Sequence, residues 1–74
     1  MFRRFAWIKV NSTNIEKVAY DGRRRNLFVA FKSGSAYVYF NVRRDDYDGL
    51  LTAESKGEYF FQFIRDTYDY ARVR

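Results

Sequence analysis

The chain is 74 residues long and contains neither cysteine nor histidine. A chain this short buries only about 60% of the surface it exposes when unfolded, which leaves room for one core and one domain. Without thiols it has no disulfide framework or thiolate metal site to hold it together, and without imidazole it lacks the side chain used most often as general base and metal ligand. Most hydrolase and metalloenzyme templates are thereby excluded.

The formal net charge is +5, and it is unevenly placed. Glu16 and Asp21 are the only acids before Asp45, so residues 1–44 are strongly basic, whereas residues 45–74 carry more acids than bases. Hydrophobic residues make up 47% of the chain and aromatics 22%. That composition argues against disorder and predicts a dense core built from large rings rather than from many aliphatics.

Taken in chain order, the start combines Arg3 and Arg4 with Phe5, Ala6, Trp7 and Ile8. This apolar run is too short for a secretory h-region or a membrane span, so the expectation is a cytoplasmic protein with no membrane segment. From Ile15 to Val42 the pattern suits strands. Turn signals stand at Asp21-Gly22 and Ser33-Gly34-Ser35. The run Leu27 to Phe31 is aromatic and β-branched, and with Ala36 to Phe40 beyond the Gly34 turn it makes a hairpin. Asn14 to Tyr20 pairs on the other side, through a loop carrying Arg23, Arg24 and Arg25. Past Arg43 the period becomes helical. Tyr47, Leu50 and Leu51 behind Asp45 and Asp46 predict a helix over residues 43–52. Ser55 and Glu58 form a capping-box pattern that starts a second helix, running to about Asp66 or Tyr68. The predicted class is α+β: a three-stranded antiparallel meander followed by two helices packed on one face, with an N-terminal strand or arm as an additional element.

Several segments together resemble the KTSC domain family: Val10-Asn11-Ser12-Thr13-Asn14-Ile15, Tyr20-Asp21, Phe31-Lys32-Ser33-Gly34-Ser35, Tyr37-Val38-Tyr39, Ser55-Lys56-Gly57-Glu58-Tyr59-Phe60, Ile64-Arg65-Asp66 and Tyr68-Asp69-Tyr70. That domain is named for its place at the C-terminus of some lysyl-tRNA synthetases and also occurs as a short stand-alone protein in bacteria and phages. The resemblance covers about residues 10 to 72, dividing the chain into an N-terminal extension (1–9) and a KTSC-like domain (10–74). It implies an RNA-binding role and places the family's Tyr-x-Tyr at Tyr37 and Tyr39. The chain departs from the family where Val42-Arg43 replaces the usual Val-Pro, where Phe61 and Phe63 replace the usual Asn and His, and where Tyr68-Asp69-Tyr70 replaces Tyr-Pro-Tyr. Any ligand contact made by that Asn and His is absent here.

The residues themselves offer two candidate surfaces. Arg23, Arg24, Arg25, Lys32, Arg43 and Arg44 can pair with phosphates, guanidinium groups doing so bidentately; the plainer reading of the Arg triplet is a solvated turn. Phe28, Val38 and Phe40, with Ala30, are expected on the sheet face away from the helices, as an apolar patch. Three uses of that face compete: stacking of unpaired bases, cover by an arm holding Phe2, Phe5, Trp7 and Ile8, and a protein partner or second copy of the chain. Tyr37 and Tyr39 are expected to be mostly buried against Leu50, Phe60 and Ile64. Asp45, Asp46 and Asp48 point to different sides of a helix and suit a solvated first turn, not a metal site. With no nucleophile beside an activator, the reading is non-enzymatic and without a cofactor. The leading expectation is an RNA or single-stranded nucleic-acid binding module, and the alternative is a protein-interaction module that docks on a host protein through its aromatic sheet face.

Overall fold

A computed structural model of the protein describes residues 6–74. Five antiparallel strands form one sheet in chain order: β1 (Ile8–Lys9), β2 (Ile15–Asp21), β3 (Asn26–Phe31), β4 (Ala36–Tyr39) and β5 (Tyr70–Arg72). Between β4 and β5 run α1 (Arg44–Thr52), α2 (Lys56–Tyr59) and a π-helical turn, Phe60–Arg65, that continues α2. The α+β class, the central meander and the start of both helices agree with the sequence reading. The strand number differs: among the described residues the sheet has five strands, where a three-stranded meander with an N-terminal strand or arm was expected.

The two strands beyond the meander are the outer ones: β1 is the N-terminal strand expected as an additional element, whereas β5 was not anticipated, and both are short. β1 is two residues pairing with Val18 and Lys17, too short to show a period. β5 is three residues, all exposed, so no alternation of burial marks it. What holds β5 is backbone pairing with β4, extended by Phe40 N–H donating to Asp69 C=O (2.8 Å) and Ala36 N–H to Arg74 C=O (2.8 Å).

Register sorts the side chains. Val18 opposes Val29 and Tyr20 opposes Leu27; Leu27 opposes Tyr39 and Val29 opposes Tyr37; Tyr39 opposes Tyr70 and Tyr37 opposes Arg72. Directly opposed residues share a face, so these line the side that carries the helices. There Val18, Leu27, Val29 and Tyr39 meet Tyr47 and Leu50 of α1 and Phe60 and Ile64 of the π-helical turn. The second helix starts as expected, with the Ser55 hydroxyl accepting from Glu58 N–H at 3.3 Å, but it does not continue as a plain α-helix. Phe60 and Ile64 of its π-helical part enter the core while Phe61 and Phe63 stay outside.

The core is more aliphatic than the composition suggests. Among the described residues, every large side chain that is fully buried is Ile, Leu or Val: Ile15, Val18, Leu27, Val29, Val42, Leu50 and Ile64. Phe60, Tyr39 and Tyr47 join it as buried rings, and the other described rings stand around it. A phenol must keep its hydroxyl near a polar partner, which confines most tyrosines to the margin: Tyr20 lies on Tyr47 with ring centroids 4.5 Å apart and donates from Oη to Val42 C=O at 2.6 Å.

The far face of the sheet holds Ala19, Phe28, Val38 and Ala71 in one row, with Lys17, Ala30 and Ala36 in the next. The expected exposed patch is largely absent: Ala30 and Val38 are buried, Phe28 is half-buried, and only Phe40, at the end of β4, is open. The Trp7 ring meets Phe28 edge-on at 6.5 Å, with Lys17 Nζ 4.9 Å from the Trp7 ring centroid. Trp7 thus supplies part of the arm anticipated from the sequence, and Ile8 enters β1; Phe2 and Phe5 lie outside the described residues.

Candidate nucleic-acid interface

The sequence-derived basic residues fall into two groups. Asp21, nearly buried, ends β2 and turns its carboxylate onto the loop, where Oδ1 accepts from the N–H groups of Arg23 (3.1 Å) and Arg24 (3.4 Å). Self-capping of this kind is why Asp suits tight turns. Arg25 then closes the loop in the left-handed region, at φ 58°, and its N–H donates to Asp21 C=O at 2.7 Å. The Arg25 C=O in turn accepts from Val42 N–H at 2.7 Å, which brings Arg43 and Arg44 beside the hairpin tip. Five arginines therefore share one end of the sheet. Arg43 pairs with Asp45 at 3.7 Å and Arg44 with Asp48 at 3.2 Å, both in exposed positions; among the described residues no ion pair engages Arg23, Arg24 or Arg25.

Lys32 is not part of that cluster. It follows β3 at the opposite end, in a shallow polar pocket with Asn11, Ser12, Thr13, Glu54, Ser55 and Lys56. The Ser12 hydroxyl accepts from Ile15 N–H (3.3 Å) and Asn14 N–H (3.4 Å) there, making the strand entry expected for this stretch. Asp46 departs from the solvated role given to the acidic cluster: its carboxylate accepts from the phenols of Tyr59 (3.4 Å) and Tyr68, tying α1 to the end of the chain's helical part. Burial first, and then Asp46, raises the pKa of both phenols.

A groove of about 370 Å³ opens on the helix-bearing face where α1 no longer covers the sheet. Phe31, Tyr37, Tyr39, Phe60, Phe61 and Tyr70 line it, with Arg65 and Asp66. Its rings touch one another edge to face or tilted: Phe31 and Phe60 at 5.5 Å, Tyr39 and Phe60 at 5.3 Å, Tyr37 and Tyr70 at 5.9 Å, Tyr39 and Tyr70 at 5.7 Å. Arg65 lies over Phe61 at 4.8 Å and Arg72 over Tyr37 at 6.0 Å. Tyr39 forms the floor and is buried, as expected, among Leu50, Phe60 and Ile64, whereas Tyr37 is only partly buried. Burial drives the Tyr39 pKa up to about 12, the neighbouring Tyr37 and Tyr70 adding to the shift and Arg65 opposing it.

The sequence marked Tyr37 and Tyr39 as candidate site residues, Arg65, Asp66 and Tyr70 only as parts of the family resemblance, and Arg72 not at all. Tyr70 and Arg72 sit on the unanticipated β5. Phe61 was visible only as a departure from a family pattern.

The chain matches the KTSC domain family over residues 11–68 and belongs to that family. It superposes on the crystal structure of a KTSC domain protein from Yersinia pestis with a TM-score of 0.89 at 25% identity, covering 96% of this chain and 100% of that one. A protein of Tsukamurella paurometabola is 38% identical over 59 residues, 80% of this chain and 88% of that protein. Lysine–tRNA ligases of Trichormus variabilis (33%) and Nostoc punctiforme (30%) match over 69 residues, 93% of this chain. The chain spans only 12% of the length of those ligases. No helix among the described residues is long and apolar enough to cross a membrane.

Proposed function

We propose that this KTSC domain is a non-enzymatic, cytoplasmic module that binds RNA or single-stranded nucleic acid. The observation that carries the reading is the convergence of Arg23, Arg24, Arg25, Arg43 and Arg44 at one end of the sheet through the Val42 to Arg25 hydrogen bond. Exposed guanidiniums at a loop tip gain little for the fold, since turn residues bury little surface, yet they present bidentate donors to phosphates. The similarity to a segment of lysine–tRNA ligases supports the same reading. Lys32, a strand's length away, contributes to a longer phosphate track and not to this cluster. The alternative, a protein-interaction module using Phe28, Val38 and Phe40, is weakened because Val38 is buried and Phe28 carries Trp7.

The test is titration of a labelled single-stranded RNA at two or more salt concentrations. Each phosphate neutralised on a single strand contributes about −0.7 to the slope of log K against log salt, so three arginines contribute about −2. Replacing Arg23, Arg24 and Arg25 together by Ala is expected to flatten the slope by that amount and leave the fold intact. Absence of binding even at low salt, where phosphate contacts are strongest, overturns the proposal.

A further inference from the structure

We infer that the groove between the π-helical turn and the β4–β5 edge holds one unpaired base of a bound single strand. This rests on the nucleic-acid reading above and assigns it a second site, distinct from the arginines of the hairpin tip.

The lining decides the class of occupant. A groove built for an apolar peptide or lipid tail is walled by Leu, Ile, Val or Met, whereas this one is walled by six aromatic rings, an arginine and an aspartate. The aliphatic residues on the same face are spent in the core. Ring faces attract flat π-systems of any sequence, which is how single-strand binders hold bases. Phe61 and Tyr70 are 50% and 59% exposed, so their ring surface is accessible to a ligand.

The charges sort in the same sense. Arg65 over Phe61 and Arg72 over Tyr37 place guanidiniums at the rim, within reach of the phosphates on either side of an inserted base. Asp66 adds a carboxylate to the wall, an acceptor suited to an exocyclic amino group such as that of cytosine. A space of about 370 Å³ is at the small end of the roughly 300–1,000 Å³ typical of ligand clefts, fitting one base with its sugar and not a run of bases.

The experiment compares an oligocytidylate with a strand of equal length and charge in which every sugar lacks its base. The intact protein is expected to bind the base-bearing strand about tenfold more tightly. Phe61→Ala and Tyr70→Ala, both at half-exposed positions and each checked for fold by circular dichroism, are expected to remove most of that preference while leaving the salt slope unchanged. Equal affinity for the two strands overturns the base site but leaves the phosphate-binding reading standing, as does full preference retained in both variants. Failure of both strands to bind at low salt overturns the nucleic-acid reading, and the base site falls with it. Were Tyr70→Ala to unfold the protein, the two-strand comparison and Phe61→Ala still decide.

Discussion

One face of the sheet uses the same residue types in two ways. Over β2 and β3, α1 covers the sheet, and Tyr20, stacked on Tyr47 and bonded to Val42, is a structural piece. Over β4 and β5 the helices give out, and Tyr37, Tyr70 and Phe61 stand open around a groove. Ring content does not separate the halves. What separates them is whether a helix lies above, and a tyrosine becomes available to a ligand where cover ends.

The sharpest way to break that comparison is to truncate one residue on each side. Leu50, a fully buried residue of α1, is expected to cost about 2–5 kcal/mol when replaced by Ala, through lost transfer energy and the cavity left behind. Phe61→Ala in the open half is expected to stay within about 0.5 kcal/mol. Chemical denaturation of the two variants measures both. A large loss from Phe61→Ala would make the groove wall a core element.

A smaller effect comes from Tyr39, which belongs to both halves. Its phenol has a folded pKa of about 12 against an ordinary 10.0, chiefly from burial. Because ionisation is harder in the folded state, the associated stability is complete below about pH 10 and is lost as pH rises through about 12. The loss is on the order of 2 kcal/mol. Tyr20, Tyr47, Tyr59 and Tyr68 shift in the same direction, so alkaline unfolding is expected to be cooperative. Denaturant midpoints followed against pH, with tyrosinate absorbance, are expected to show a shallower alkaline fall in Tyr39→Phe than in the parent.

The smallest effect concerns the hairpin tip. Arg25 sits at φ 58°, where a side chain costs roughly 1–2 kcal/mol that glycine avoids. Arg25→Gly is expected to leave stability unchanged or raise it by up to about 1 kcal/mol, while reducing the salt slope for RNA by about 0.7. Thermal melts and the salt titration together report whether this arginine is kept for its charge. A variant that destabilises the fold would show that the side chain, not the backbone, holds the turn.

How much the sequence revealed follows from the range of each signal. The Leu27 to Phe31 and Ala36 to Tyr39 hairpin was readable because period-two patterning and a glycine turn act over a few residues, and Ser55 with Glu58 marked a helix start for the same reason. β5 was not readable, since Tyr70–Arg72 owes its strand state to β4's free edge and not to its own alternation. The groove inherits that limit: Tyr37 and Tyr39 were visible as a motif, but their partner Tyr70 arrives by a pairing no local pattern encodes. The far face failed differently. Alternation placed Phe28 and Val38 on one side correctly, yet said nothing of Val38 being buried or of Trp7 packing edge-on against Phe28.

The placement of both helices between β4 and β5 also sets an order of assembly. β2, β3 and β4 are joined by short loops, so their contacts form with little loop-closure entropy. Tyr39 meets Tyr70 only across the whole intervening helical segment, a longer loop to close. Until it closes, the outer edge of β4 is an unpaired template, the kind of edge that recruits another chain. β5 is therefore the strand that ends this exposure as well as the wall that completes the groove. Its charged residues, Arg72 in the strand and Arg74 beyond it, leave the finished edge poorly suited to a neighbour's strand.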